Sequence, residues 1–336
     1  MKVVKVCVVF TGGTIGSVLD ESGYIGPKEG TPYRLLELYK SRYDTDVTFE
    51  MVEPYRILSE NLDGQHLEQL FAAVREVLKR DDLDGVIVTH GTDTLQFGAA
   101  MLGYVFGGSD IPIVLVSSNY VLDDNRANGL VNFHYALEFI KASSGKGVFV
   151  SYCNQGDFPT IHRATRLQPA VPLSDAVSSV MNSWYGRFEN GNFIINPEYH
   201  IMDGQDALFE TDATIRLSNV SEAILYVRPF VGMQYPNIRE GVRVVLHGSY
   251  HSGTIAVLDE LDHFVKETNI RNIPIYLTGL LTGTDAYETV EVYEKMGVRA
   301  LHTSAEVAQY CKLWLALSNG LNVDAIMGKS VAEDWV

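Results

Sequence analysis

The sequence predicts an α/β protein built on a mainly parallel sheet, followed by a second, smaller α/β unit. Three observations carry this. Short apolar runs that read as buried strands alternate with segments of helical period. The first two such runs end in turns rich in glycine and threonine, Thr11-Gly12-Gly13-Thr14 and Thr89-His90-Gly91-Thr92-Asp93-Thr94. The chain has 336 residues, more than one typical domain and fewer than three.

The elements follow in order. Val6–Phe10 is a continuous apolar run and reads as the first strand. Gln65–Arg80 reads as an amphipathic helix, with Leu67, Leu70, Phe71, Val74, Val77 and Leu78 on one face. Ser59, Asn61 and Asp63 offer caps before it. Gly85–Val88, Ile111–Val116 and Gly147–Tyr152 read as further parallel strands, with a helix at Asn128–Lys141. From Asn182 to Ala213 the pattern changes. An Asn-Gly turn flanked by aromatic and apolar residues reads as a hairpin, and the domain junction is placed in this stretch. The expected division is a unit over 1–190, a linker over 191–214 and a second unit over 215–336. In the second unit, strands at Ala223–Val227, Arg243–Leu246 and Ile273–Leu277 go with helices at Ile255–Lys266, Ala286–Met296 and Ser304–Leu317.

Composition narrows the function. Hydrophobic residues make up 46% and charged residues 20%, which supports a sizeable core and excludes disorder. The formal net charge is −16, the opposite of a nucleic-acid-binding face. No stretch approaches the length of a membrane span, and the N-terminal apolar run is too short for a signal-peptide core. Cys7, Cys153 and Cys311 are odd in number, widely spaced and free of CxxC. They make neither a disulfide framework nor a thiolate zinc site, and they fit a reducing compartment. A cytoplasmic protein is expected, with no membrane or nucleic-acid partner.

Ligands of open parallel sheets bind outside the carboxyl ends of the strands, where the two glycine turns lie. Glycine lets backbone approach a ligand closely and expose its N–H groups. A threonine hydroxyl is a nucleophile only beside a base or a charge that favours its alkoxide. Attack on a carbonyl also needs donors aimed at the oxyanion. Gly12, Gly13 and Gly91 offer backbone donors, and Asp93 can orient a base or bind an amine. These residue types fit acyl chemistry on an amide. The alternative is a phosphate or nucleotide cradle, although TGGTIG lacks the GxGxxG context and no GK[ST] follows. His90 reads as a structural hydrogen-bonder. His247 and His251 lie on a loop without HExxH context and do not make a metal pair. Asp259–Asp262 reads as a solvated helix face.

FTGGTIGS at Phe10–Ser17 and THGTDTL at Thr89–Leu95 resemble the two signature stretches of the bacterial and archaeal L-asparaginase family. GYIGP at Gly23–Pro27, LSENL at Leu58–Leu62, RANGLVN at Arg126–Asn132 and HGSYHSGT at His247–Thr254 extend the resemblance over essentially the whole chain. It is nearest the cytoplasmic type, and similar to the related subunit of archaeal glutamyl-tRNA amidotransferase. The resemblance implies a larger N-terminal flavodoxin-like parallel-sheet domain and a smaller C-terminal α/β domain. It implies hydrolysis of asparagine to aspartate and ammonia, a homodimer or homotetramer, a small amino-acid substrate, and neither metal nor organic cofactor. By position it implies Thr14 as the nucleophile, Tyr24 as its assistant and Thr92 as the second catalytic threonine. Ser59 would hold the substrate's α-carboxylate, with Glu60 and Asp93 at its α-amine. Gly13 and Gly91 would line the substrate site.

The sequence departs from the family in places. Where the family pairs its second threonine and aspartate with a lysine, His162-Arg163-Ala164-Thr165-Arg166 puts Arg166. A guanidinium supplies charge and donors but cannot abstract a proton. Modest turnover is therefore expected. An amino-acid binder with weakened or lost catalysis is an alternative, as is an amidase or glutaminase whose pocket is altered by the loop Ser117–Asn125. Asn128 also replaces the family's aspartate.

Overall fold

The computed structural model describes residues 3–19, 22, 24–27, 31–43, 46–142, 145–220, 222–280 and 287–336. Its strands in chain order are β1 (Val4–Val9), β2 (Ser17–Leu19), β3 (Ile25–Pro27), β4 (Val47–Val52), β5 (Gly85–Thr89), β6 (Ile113–Val116), β7 (Val148–Tyr152) and β8 (Thr160–Arg163). There follow β9 (Gly186–Glu189), β10 (Asn192–Ile195), β11 (Gly204–Gln205), β12 (Ile224–Val227), β13 (Val244–His247), β14 (Ile275–Leu277), β15 (Arg299–Ala300) and β16 (Ser330–Val331). The helices are α1 (Thr31–Tyr43), α2 (Gly64–Leu78), α3 (Leu95–Phe106), α4 (Gly129–Lys141), α5 (Asp259–Ile270), α6 (Thr289–Lys295), α7 (Glu306–Ser318) and α8 (Val323–Met327).

Eight strands form the main sheet in the order β10-β9-β8-β7-β6-β5-β1-β4. The segment β4-β1-β5-β6-β7 is parallel throughout. This is the doubly wound order in which the chain leaves β1 to one side and returns on the other, so a switch point lies between β1 and β5. Strands β8, β9 and β10 extend it antiparallel. A second sheet, β12-β13-β14-β15, is parallel throughout. The expected α/β class with a large parallel-dominated sheet is what the structure has. The Asn-Gly hairpin is also present: Asn190 and Gly191 both have positive φ between the paired β9 and β10.

The strands of β1, β5, β6 and β7 are buried on both faces, which is why they read as unbroken apolar runs. One face packs under α2, α3 and α7, the other under α1 and α4. Helix α2 buries the expected Leu67, Leu70, Phe71, Val74 and Val77. Of the three cap candidates, Asp63 takes the role, accepting the N–H of His66 at 2.9 Å. The expected helix Ile255–Lys266 starts later, at Asp259. Asp259, Glu260 and Asp262 occupy its first turn, where the positive end of the helix dipole favours them. Helix α3 contacts α7, and the chain's end is tied to both. Lys312 on α7 and Tyr104 on α3 each bond the carboxylate of Asp334 at 2.8 Å, all of it buried.

Candidate active site

The two glycine turns leave neighbouring strands at the switch point and are tied together. Thr11 donates its hydroxyl to the Thr89 carbonyl at 2.6 Å, and its N–H to the Thr89 hydroxyl at 3.2 Å. Gly12 and Gly13 have φ of 101° and 72°, values that favour glycine. A Cβ on Gly12 would lie 2.7 Å from the N of Ile57, and one on Gly13 would lie 2.5 Å from the N of Gly91. A Cβ on Gly91 would lie 2.5 Å from the Cβ of Ser59. The backbones of the turns therefore touch at Gly13 and Gly91, with Ser59 packed against the same point.

Thr14 follows directly from Gly13 and opens a short 3-10 turn, half-buried. Ser17 and the N–H of Gly16 both bond the Gly13 carbonyl, which fixes that turn. Thr92 follows Gly91 and is also half-buried, while Asp93 and Glu60 are exposed. Ser59 is buried, and its carbonyl accepts the Thr94 hydroxyl at 2.9 Å. Ser59 is therefore not the helix cap, and its hydroxyl sits at the Gly91 contact. The turn 92–94 lies at the positive N-terminal end of α3, a favourable place for developing negative charge. The structure thus brings Gly13, Ser59 and Gly91 to one place, with Thr14 and Thr92 the next residue along each turn.

Of two further expected residues, one is exposed and the other is engaged by the end of the chain. Tyr24 precedes β3 on the β2–β3 arm and is 74% exposed; Gly23 of the same motif lies outside the described residues. Arg166 is fully buried, and its guanidinium is committed to backbone carbonyls away from the glycine turns. Its neighbour Thr165 packs on Gly103 of α3, and Leu167 on its other side lines the same cavity as Thr92. Its guanidinium donates to the carbonyls of Glu333 at 2.6 Å and of His200 and Trp335 at 2.8 Å. It also stacks on Tyr199, 4.2 Å from the ring centroid. Arg163, beside it, pairs with Glu333 at 2.5 Å. The motif is used to anchor the end of the chain.

A cavity of about 450 Å³ opens beside Thr92 and Asp93. Its wall includes Gln96, Tyr152, Gln168 and Asp175, none of which sequence reasoning singled out. The Pro- and Ser-bearing stretch just after the His162–Arg166 motif was the available signal for Asp175. Thr14 is not among its lining residues, and none of the described lining residues is Lys, Arg or His. The loop 117–125 does not line it either. It is closed by reciprocal bonds between Asn119 and Asn128 and backs onto the His90 carbonyl through Ser117. His90 is buried against Gly98 and bonds the Gly91 carbonyl, and burial lowers its pKa. It is a neutral structural group. His247 bonds Tyr235. No group of three or more metal-ligating side chains occurs among the described residues, and no described helix is long and apolar enough to cross a membrane.

Residues 5–198 match the family model described as "Asparaginase, N-terminal". Among curated proteins, the D subunit of the glutamyl-tRNA(Gln) amidotransferase of Methanobrevibacter smithii is 23% identical over 98% of this chain and 77% of its own length. Its counterpart in Methanosarcina barkeri is 33% identical over 50% of this chain and 39% of its own length. Glutaminase-asparaginase of Pseudomonas fluorescens biotype A is 32% identical over 45% of this chain and 42% of its own length. The chain thus spans about three quarters of one of these relatives and less than half of the other two. Two solved structures share the fold over 99% of both chains. They are the thermostable L-asparaginase from Thermococcus kodakarensis, with a TM-score of 0.79 at 22% identity, and L-asparaginase I from Vibrio cholerae, with 0.78 at 18%. With the family model covering more than half of the sequence, and both signature turns lying inside it, the chain belongs to the asparaginase family of amidohydrolases.

Proposed function

We propose that the protein hydrolyses the side-chain carboxamide of L-asparagine, giving aspartate and ammonia, with Thr14 as nucleophile. The observation that carries this is the contact of Gly13 with Gly91, the residues directly before Thr14 and Thr92. Thr14 attacks the amide carbon; the Gly13 N–H is committed to the Ile57 carbonyl at 2.9 Å, so the N–H groups of Gly91 and Thr92 receive the oxyanion. Ammonia leaves, and water cleaves the acyl-enzyme. Ser59, Glu60 and Asp93 hold the amino-acid head group, Asp93 through the amine. Tyr24 assists the attack by Thr14. The test is ammonia release from asparagine by Thr14→Ala: a loss of at least a thousandfold supports the reading, and unchanged release overturns it.

A second reading has its own observation. No cation lines the cavity at Thr92 and Asp93 among the described residues, so the proton transfer that a lysine would perform has no evident agent there. An asparagine binder with weak catalysis fits this, and calorimetry beside the ammonia assay separates the two. We place the protein in a reducing, cytoplasmic compartment, on the strength of its three free cysteines. We further propose a homo-oligomer, supported by the exposed apolar Leu173, Phe230 and Val231.

A further inference from the structure

We propose that Tyr55 is a positioning residue for the substrate's α-carboxylate: its hydroxyl bonds that of Ser59 once substrate is held, and so aims the Ser59 proton at the carboxylate. This rests on the reading of Ser59 as a residue of the head-group site, and it adds a partner that no sequence motif marks.

The first ground is an unmade bond. The Tyr55 hydroxyl is buried, and it has no hydrogen-bond partner among the described residues. Burial raises its pKa, so it stays protonated and keeps a proton to give. Nearly all buried polar groups are bonded, and one left unmade costs stability. Water does not relieve it, because the space that Tyr55 lines is too small for a water molecule.

The second ground is what shares that space. Gly13, Ser59 and Gly91 line it with Tyr55, at the contact of the two turns. The lining carbonyls of Thr11, Gly13, Ile57, Ser59, His90 and Gly91 already accept other donors. The side-chain oxygens on the lining, besides that of Tyr55, belong to Thr11 and Ser59. Thr11 lies beside Tyr55, but its hydroxyl is held in the tie between the turns, giving its proton to the Thr89 carbonyl at 2.6 Å. The Ser59 hydroxyl packs against Gly91 and makes no hydrogen bond among the described residues. It can take the Tyr55 proton on a lone pair and give its own to a carboxylate. A hydroxyl that accepts one bond donates a stronger one.

The third ground is fixed placement. Ile57, two residues on, is tied to the first turn through its backbone. Its N–H bonds the Thr11 carbonyl at 3.1 Å, and its carbonyl accepts the Gly13 N–H at 2.9 Å. The Tyr55 ring meets the ring of His66 edge-on, with centroids 5.0 Å apart. His66 is itself held by Asp63 at 2.7 Å. The hydroxyl therefore stays at the contact of the turns with its bond unmade. A bond completed only in the complex strengthens binding and leaves the free protein no more stable.

The test is Tyr55→Phe, which keeps the ring and removes only the hydroxyl. Ammonia release by the full chain is measured with L-asparagine and with asparagine methyl ester, which lacks the α-carboxylate. Asparagine is also titrated calorimetrically into the Thr14→Ala chain with and without Tyr55→Phe. KM for asparagine should rise about threefold to tenfold with kcat within about twofold. KM for the ester should stay within about twofold, and Tm should hold or rise. On a Ser59→Ala background the second substitution should add nothing. An unchanged KM for asparagine, an equal loss on both compounds, a full additional loss on Ser59→Ala, or a fall in Tm overturns the proposal. If neither compound releases ammonia, the hydrolytic reading fails and the titration decides: asparagine bound at least about threefold more weakly with Tyr55→Phe keeps Tyr55 as a positioning residue, and equal binding overturns it.

Discussion

Gly13→Ala tests the contact on which the site depends. The backbone there has φ 72° and ψ −178°, a region essentially reserved for glycine that costs an alanine about 1–3 kcal/mol. The new methyl would also lie 2.5 Å from the N of Gly91. Forcing the turns apart adds roughly 1–3 kcal/mol of overpacking, for a total near 4 kcal/mol. Over 336 residues, at about 2.1 cal/mol/K each, this lowers Tm by roughly 6 °C. The larger effect is chemical. A separation of about 1 Å between reacting groups costs on the order of a hundredfold in rate, so kcat/KM for ammonia release should fall at least that far. Gly16→Ala is the control from the same turn. Nothing lies within 4 Å of its would-be Cβ, so Tm should hold or rise, and kcat/KM should stay within about threefold. A Gly13→Ala protein with wild-type Tm and kcat/KM would refute the packed contact.

Other outcomes follow from the same structure. Arg166→Lys replaces a fork reaching three carbonyls with one ammonium, so stability should drop by about 2–4 kcal/mol while kcat/KM changes less than threefold; a tenfold gain in rate at unchanged Tm would put residue 166 at the chemistry instead. His162 is held neutral by burial, its pKa lowered to about 4 from an unfolded value near 6.5. The unfolded chain binds the extra proton first, so this part of the stability is present above pH 6.5 and is lost as pH falls towards 4, about 3 kcal/mol in all. Urea midpoints should therefore slope less over that range in His162→Asn; an unaltered slope counts against the assignment. Asp63→Ala should cost about 1 kcal/mol through the lost α2 cap with kinetics intact. Ser59→Ala should raise KM without affecting the helix, and the reverse pattern would exchange the two roles.

Much of the fold was legible because its parallel strands are buried on both faces and so spell themselves as apolar runs. The elements that escape such a reading do so for physical reasons. Helix α3 is buried nearly all round, so Leu95–Phe106 shows no amphipathic stripe to mark it as a helix. Strand β4 lies at the edge of the sheet and fully buries only Val47, so it makes no unbroken apolar run. Strand β8 reads Thr-Ile-His-Arg, polar letters for a buried strand. Its polar side chains find partners only in the folded state, His162 with Ser179 and Arg163 with Glu333. At the site, the glycine turns and Ser59 were readable because short motifs fix local backbone. The destination of Arg166 was not, because its partners at 200, 333 and 335 are distant in sequence. Likewise Gln96, Tyr152 and Asp175 line one cavity from three separate segments of the chain.

Whether Thr14 and Thr92 flank one carboxamide, with Thr14 forming the bond, is tested most directly by rapid quenching during turnover of asparagine, followed by peptide mapping. An aspartyl group esterified to the hydroxyl of Thr14 is expected. An aspartyl group carried by Thr92 or by any other residue would contradict that assignment.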